Sequence, residues 1–136
     1  MADIALTTAN KVDVVESIVQ HTAPTAEAIT AGMAVRLDTT TGKFTKANGT
    51  AAPEARIYGL ATKTVAAGLP VTAIRKGVMD GFAISALAFD APIYLSDTDG
   101  LLADAAGTVS VVVGVTIGGH ATTTGTAADK LLFVDL

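Results

Sequence analysis

Cysteine is absent from this chain of 136 residues, which removes several kinds of chemistry. Disulfide bonds, thiolate nucleophiles and cysteine-ligated metals are excluded, and the absence fits synthesis in a reducing cytoplasm. Tryptophan is also absent, and aromatic residues make up only 4% of the sequence. Half of the residues are hydrophobic, but most of these are small, and small side chains stabilise little when they are buried. We therefore expect a neighbouring subunit or partner to add stability.

Charged residues are scarce, and their balance is acidic. They make up 16% of the chain, against about 25% in an average soluble domain. Thirteen Asp and Glu residues outnumber nine Lys and Arg residues, so the net charge is −4. No basic stripe is interleaved with aromatic residues, which argues against nucleic-acid binding.

Long hydrophobic runs are missing as well. The longest stretch without a formal charge, residues 105–128, is interrupted by five glycines and many threonines. This stretch does not resemble a membrane span, and the first residues do not resemble a signal peptide. We therefore expect a protein without membrane contact.

Short β-branched runs separated by turn residues dominate the chain. Turn signals recur every eight to twelve residues, and Lys11–Thr22 and Ser110–Ile117 are strongly β-branched. Asp80–Phe89 is predicted to be irregular, with one helical turn at most, and Gly77 is predicted to mark a bend or bulge. The pattern predicts a mainly β fold, a small barrel or sandwich of short antiparallel strands.

Two related hairpin units stand out within this pattern. Ala31–Ala47 and Ala91–Ala105 each contain a strand, a turn ending in glycine and a returning strand. Val35 and Ile93 occupy equivalent places, and the same offset relates the other matched positions of the two units. Each unit is followed by an apolar strand with a central glycine, at a slightly shorter offset. The glycines predicted to define turns and strands are Gly32, Gly42, Gly59, Gly68, Gly100 and Gly114.

Residues that could support a reaction are few and scattered. Asp97 and Asp99 precede a glycine, but the spacing of a calcium loop is not met, so we interpret them as turn-capping residues. His21 and His120 are the only histidines, and neither belongs to a metal-binding or nucleophile motif. We predict that the protein is not an enzyme and uses no metal or cofactor.

Several basic residues allow two interpretations. They form either an ordinary solvated surface or a docking face for an acidic protein partner, since complementary charge favours encounter and register. These residues are Lys43, Lys46, Arg56, Lys63, Arg75 and Lys76.

Parts of the chain resemble a known family. The matching segments are Ala23–Asp38, Thr41–Lys43, Ile57–Ala61 and Ala66–Thr72. They contain the patterns A-G-x-x-V-x-L-D, T-G-K and G-x-A, and they match A-G-x-x-V-x-V except at its last position, where this chain has Ala73. This arrangement is similar to that of the capsid cement, or head decoration, proteins of tailed bacteriophages. The resemblance covers Pro24–Met79 well and the remainder loosely, and its motifs specify fold more than function.

The resemblance implies a structural virion protein, made in the host cytoplasm, that binds the outside of the phage head and stabilises the expanded capsid. Its implied partners are the major capsid protein and further copies of itself, as a trimer or a dimer. It also implies an extended N-terminal arm, residues 1–22, followed by a single β domain, residues 23–136. We expect the arm to dock on the capsid by strand addition, and residues 1–10 to be dispensable for folding. The predicted capsid contacts are Ile4, Leu6, Lys11, Arg75 and Lys76.

Two other classes remain open. One is another virion or adhesin-type β module, such as a tail or fibre-base domain. A receptor binder would be expected to expose more aromatic residues. The other is a small hydrolase using Asp97, Asp99 and His120.

Overall fold

The structure, a computed structural model, describes residues 2–6, 12–118 and 130–136. Within these residues there are ten strands and no helix. Lys11 and His120 lie outside the described residues. The strands are β1 (Asp3–Ile4), β2 (Asp13–Pro24), β3 (Ala34–Leu37), β4 (Phe44–Lys46), β5 (Ile57–Ala61), β6 (Pro70–Asp80), β7 (Pro92–Leu95), β8 (Leu102–Ala103), β9 (Val112–Ile117) and β10 (Leu131–Asp135).

The strands form one curled antiparallel sheet. Its order is β1-β8-β7-β9-β10-β6-β5-β3-β4, and β2 pairs with β6 outside this path. The sheet curls into a half-barrel, which confirms the predicted mainly β, barrel-like fold. All of the pairings between these strands are antiparallel, and short turns connect β3 to β4 and β7 to β8.

The order of strands is symmetric about the pairing of β6 with β10. On one side stand β5, β3 and β4; on the other side stand β9, β7 and β8. Each half is therefore a four-stranded block of the same topology. The duplication inferred from the two hairpins extends to β6 and β10, whose sequences do not show it.

The two hairpins also pair in the same register. Leu37 lies opposite Phe44 in the first hairpin. Leu95 lies opposite Leu102 in the second, and both residues follow their counterparts at the same offset along the chain. A side chain therefore occupies the same face in both copies, which confirms the prediction of two related hairpin units.

A shift in strand pairing also occurs at equivalent places in the two halves. The pairing of β3 with β5 shifts between Val35 and Arg36. The pairing of β7 with β9 shifts between Ile93 and Tyr94, the equivalent place. Bulges bend a strand and increase its twist, so the same curvature is built into both halves.

The segment predicted as an N-terminal arm joins the sheet wherever it is described. Asp3 and Ile4 pair with Ala103 and Leu102 of β8. β2 pairs with β6 along its whole length, so the predicted boundary between residues 22 and 23 falls inside a strand. The β-branched residues that predicted a strand between residues 11 and 22 therefore belong to the domain itself.

Two apolar clusters fill the interior. The larger one draws on both halves and includes Leu60 and Ile74 from the first half and Leu95 and Leu132 from the second. The smaller one lies wholly between residues 23 and 73 and is centred on the buried Phe44. None of the described residues belongs to a helix long and apolar enough to cross a membrane.

Candidate functional site

A groove lies where the end of β3 meets β5 and β6. Its volume is about 480 Å³. The wall is apolar on several sides, and two guanidinium groups and a tyrosine are its principal polar features. The residues that line it are Leu37, Thr39, Pro53, Ala55, Arg56, Ile57, Tyr58, Arg75, Val111 and Leu136.

Arg75 owes its position to a bulge. In the pairing of β2 with β6, Val19 lies opposite Lys76 and the next residue, Gln20, lies opposite Ile74. Arg75 is thus an extra residue on β6 with no partner on β2. Bulges commonly redirect a side chain at sheet edges and binding sites. Here the redirected side chain lines the groove.

The guanidinium of Arg75 is held against Tyr58. Its Nη1 donates a hydrogen bond of 3.2 Å to the backbone carbonyl of Tyr58, and its Cζ lies 5.3 Å from the centre of the Tyr58 ring. Both contacts hold the guanidinium group beside Tyr58. An arginine has five donors, so most of them remain for a ligand such as a carboxylate.

Two of the side chains that line the groove, those of Arg56 and Arg75, are positively charged. Arg56 is exposed, and in the part of the chain that the structure describes neither Arg56 nor Arg75 forms an ion pair. No described carboxylate side chain lines the groove. The site thus holds two cationic groups within an acidic protein, a combination suited to an anionic partner.

Asp38 lies next to the groove-lining Leu37, but its carboxylate accepts hydrogen bonds within the β3–β4 turn. Backbone N–H groups of Thr41 and Thr40 donate to its carboxylate at 3.0 and 2.8 Å. These hydrogen bonds hold the pKa of Asp38 below its usual value. The carboxylate is therefore committed to shaping the β3–β4 turn.

His21 takes part in an aromatic group rather than in an acid–base pair. Its ring lies edge-on to Phe44 at 6.0 Å and to Tyr58 at 5.9 Å between ring centres. The group supports Tyr58 from the side of β2, and Arg75 contacts the same ring. The hydrolase alternative also needs His120, which lies outside the described residues.

The two carboxylates in the turn of the second hairpin, Asp97 and Asp99, accept hydrogen bonds from neighbouring loops. Asp97 accepts hydrogen bonds from the backbone and hydroxyl of Thr108, at 2.9 and 2.8 Å. Asp99 accepts one from Asn48 Nδ2 at 2.5 Å. The two carboxylates tie loops together, and no group of three or more candidate metal ligands occurs among the described residues.

The predicted contact residues fall into three groups. Arg75 lines the groove, and Lys76 lies beside it in an exposed ion pair with Asp135, at 3.8 Å from Nζ to Oδ1. Ile4 is buried in the larger apolar cluster, and Leu6 is partly buried against the same cluster. Lys11 is outside the described residues.

Tyr58 is not identified as a groove residue by reasoning from sequence, and Arg56 is identified only among the six basic residues for which a docking face is one interpretation. In the sequence, Arg56 is one of several scattered basic residues, and Tyr58 is an ordinary strand residue. A usable signal is present, since Arg56 and Tyr58 flank Ile57 at the start of an apolar strand. Arg75 is the extra residue of a bulge in β6, and the nearest residue at which the sequence indicates a bend or bulge is Gly77.

Comparisons with known proteins give no further assignment. A scan against models of protein families, a search of curated proteins and a search of solved structures found no match to this chain. The groove and its residues therefore carry the functional argument, together with the resemblance in sequence.

Proposed function

We propose that this protein is a structural component of a bacteriophage virion that binds the outer surface of the head and stabilises the expanded capsid lattice. Three observations support the proposal. The segments between Ala23 and Thr72 follow the pattern of cement proteins. The described residues form a duplicated, curled β scaffold. The groove offers cations and apolar surface together.

The observation that carries the proposal is the pair of guanidinium groups at one apolar groove. Arg56 and Arg75 have no described carboxylate partner, and Tyr58 holds Arg75 in place. An acidic segment of a capsid protein would satisfy both cations and place apolar side chains against Leu37 and Val111. Arginine and tyrosine are among the residues most often found at the energetic centre of protein interfaces.

Stabilisation of one lattice state follows from selective binding. A protein that binds the expanded lattice and not its precursor stabilises the expanded form in proportion to its occupancy. Many copies on one head add their weak contacts together, so each groove needs only moderate affinity. This mechanism requires a rigid scaffold and no bond-making residue.

The test is cosedimentation with expanded heads of the phage that encodes the protein. Arg56→Glu and Arg75→Glu should each weaken attachment about tenfold or more, because a like charge then faces an acidic partner. Lys63→Glu is the matched control, since it makes the same change of charge at an exposed lysine outside the groove. It should change attachment little.

Other outcomes would contradict the proposal. Absence of wild-type attachment to expanded heads would refute the cement function. Equal losses in all three variants would show that net charge, and not the groove, governs attachment. Far-UV circular dichroism of each variant should match the wild type, so that a loss of attachment is not a loss of fold.

A further inference from the structure

The loop after β4 contains the pair Asn48–Gly49, in which a side-chain amide is followed directly by glycine. The chain has two asparagines, and Asn48 is the one with glycine after it. The backbone nitrogen of the residue that follows an asparagine can attack the side-chain amide carbon. Glycine favours this attack most, because it has no side chain to hinder the approach and its backbone is the most permissive. The pair is therefore a candidate site of covalent modification.

The modification is deamidation, and its only co-reactant is water. The nitrogen of Gly49 forms a bond to Cγ of Asn48, the Cγ–Nδ2 bond breaks, and ammonia leaves with the proton of the attacking nitrogen. Water then opens the cyclic imide at one of its two carbonyl carbons. One product carries aspartate at this position. The other carries isoaspartate, in which the main chain continues through the former side-chain carbonyl.

The fold restrains the attacking nitrogen. Gly49 is buried, and its N–H donates to the carbonyl oxygen of Ser96 at 2.7 Å. The carbonyl oxygen of Gly49 accepts from the N–H of Val109, also at 2.7 Å. A Cβ atom on Gly49 would lie 3.0 Å from Asp97 Oδ1, so the backbone has little space in which to turn. The nitrogen that must attack is thus held in a buried hydrogen bond.

The side-chain amide that would be attacked is restrained as well. Nδ2 of Asn48 donates to Asp99 Oδ1 at 2.5 Å. Oδ1 of Asn48 accepts from the N–H and the hydroxyl of Thr50, at 3.1 and 2.5 Å. These partners define which side-chain atom is nitrogen, since a carboxylate only accepts and a backbone N–H only donates. Ring closure expels Nδ2 and moves Cγ toward the Gly49 nitrogen, so it disrupts these hydrogen bonds.

The same contacts join the two halves of the molecule. Asn48 and Gly49 lie between β4 and β5, whereas Ser96 and Asp99 lie between β7 and β8 and Val109 lies between β8 and β9. Proteins open locally at contacts between loops at a lower free energy than that of global unfolding. Separation of the halves at this place would release the Gly49 nitrogen and the Asn48 amide together. The reaction should therefore start from opened molecules.

We propose that Asn48–Gly49 is a deamidation site that the native contacts protect, and that its modification makes the local opening irreversible. Deamidation replaces the Nδ2 donor by a carboxylate oxygen that faces the carboxylate of Asp99. Two carboxylates this close repel each other. Isoaspartate also lengthens the main chain by a methylene group, which displaces the Gly49 N–H from Ser96. A molecule that has deamidated therefore cannot restore the contact between its halves.

The rate of deamidation of the purified full chain tests the protection. Samples are held at mildly alkaline pH with and without denaturing guanidinium chloride, and peptide mass spectrometry follows the mass increase that deamidation of Asn48 causes. The folded chain should react at least about tenfold more slowly than the unfolded chain, since only opened molecules react. Asp99→Ala should raise the rate in the folded chain about fivefold, because Nδ2 loses its acceptor. Asp38→Ala, which removes a carboxylate bonded to Thr40 and Thr41, is the matched control and should change the rate little.

Asn48→Asp reproduces the charge of one product and tests whether the opening is irreversible. Its urea midpoint should lie below that of the wild type, because two carboxylates then face each other. Asn48→Asp combined with Asp99→Asn exchanges donor and acceptor across the same contact, so the double variant should regain most of the lost stability. Asn48→Asp combined with Asp38→Asn is the control with the same net charge. It should not regain the loss.

Each alternative result overturns the proposal. Wild-type chains that react equally fast when folded and unfolded, or faster when folded, would show that the native contacts give no protection, and this comparison needs no variant. Equal rates in Asp99→Ala and Asp38→Ala would show that the bond to Asp99 does not protect the amide. An Asn48→Asp variant as stable as the wild type would show that the product keeps the contact. The outcome is independent of the proposed function, because none of these measurements involves a phage head.

Discussion

Two glycines in the middle of strands allow neighbouring backbones to approach closely. A Cβ atom on Gly114 would lie far inside van der Waals contact with the carbonyl oxygen of Phe133 in β10. A Cβ atom on Gly59 would clash in the same way with the carbonyl oxygen of Ile74 in β6. These are equivalent positions in the two halves, so a close backbone contact is built in the same way in each half.

We expect Gly114→Ala to destabilise the fold by about 2–3 kcal/mol, because the strand must shift to relieve the contact. Gly118→Ala is the matched control, since among the described residues its Cβ would meet only Phe89, at an ordinary 3.9 Å. It should change stability by less than about 0.5 kcal/mol. Urea denaturation measures both, and equal stabilities would contradict the close approach.

Glu27 makes stability depend on acid pH. Partial burial raises the pKa of its carboxyl, but hydrogen bonds from Thr45 and the backbone of Lys46, with the charge of Lys46, lower it further than burial raises it. The Lys46 ion pair spans 3.8 Å. The net effect is a pKa below the usual 4.5, so the folded state favours the ionised carboxylate.

A lowered pKa contributes stability above the unfolded-state value, and this contribution is lost as pH falls through the folded-state value. Glu27→Gln should therefore be less stable than the wild type near pH 6, and the difference should shrink as pH falls below about 4.5. We expect a difference on the order of 0.5 kcal/mol, because the pair is partly exposed. Thermal melts from about pH 6 to about pH 3 test it, and a constant difference would contradict the linkage.

At the scale of elements, β1 is short but well anchored. Thr98 Oγ1 donates to Asp3 Oδ2 at 3.0 Å, and the Ser96 hydroxyl donates to the same carboxylate. Ile4 is only 7% exposed within the larger apolar cluster. Within the described residues, β1 is therefore packed on the sheet through Asp3 and Ile4.

We expect Ile4→Ala to reduce the free energy of unfolding by about 2–3 kcal/mol, since it removes a buried side chain at the sheet edge. Leu69→Ala is the control, because Leu69 is 53% exposed and its loss should cost less than about 0.5 kcal/mol. Urea titrations compare them. If the two variants were equally stable, residues 2–6 would be a detached arm after all.

The elements differ in how far sequence predicts them. The hairpins are predictable because their turn glycines, Gly42 and Gly100, need positive φ, and the structure has φ of 70° and 74° there. The strand at β2 is predictable from its β-branched residues. The sequence does not predict that β2 is part of the domain, because only tertiary pairing distinguishes an integrated edge strand from a projecting arm.

The candidate site is predicted only in part, because it also depends on how the strands pair. Arg75 stands out by its charge, but its companion Arg56 is distant in the sequence and directly precedes the neighbouring strand, β5. A bulge on β6 brings the two to one groove. Gly77 indicates a bend or bulge in this strand, but the sequence does not show which side chains the bulge brings together, so the site emerges only when the sheet is assembled.

At the scale of the whole molecule, the duplication does not produce two independent halves. The larger apolar cluster joins side chains of β5 and β6 to side chains of β7, β9 and β10. The smaller cluster belongs to the first half alone, so the second half has no apolar core of its own among the described residues. Neither half can exclude water from its share of the larger cluster without the other.

The two halves should therefore unfold together. The chain has two tyrosines, Tyr58 in the first half and Tyr94 in the second, and no tryptophan. Tyr58→Phe and Tyr94→Phe each leave one fluorescent reporter in one half and preserve the ring. We expect both reporters and far-UV circular dichroism to give one coincident thermal transition, as a cooperative two-state domain requires. Because the shared cluster is the only large apolar contact joining the halves among the described residues, separate midpoints would mean that each half is stable without it.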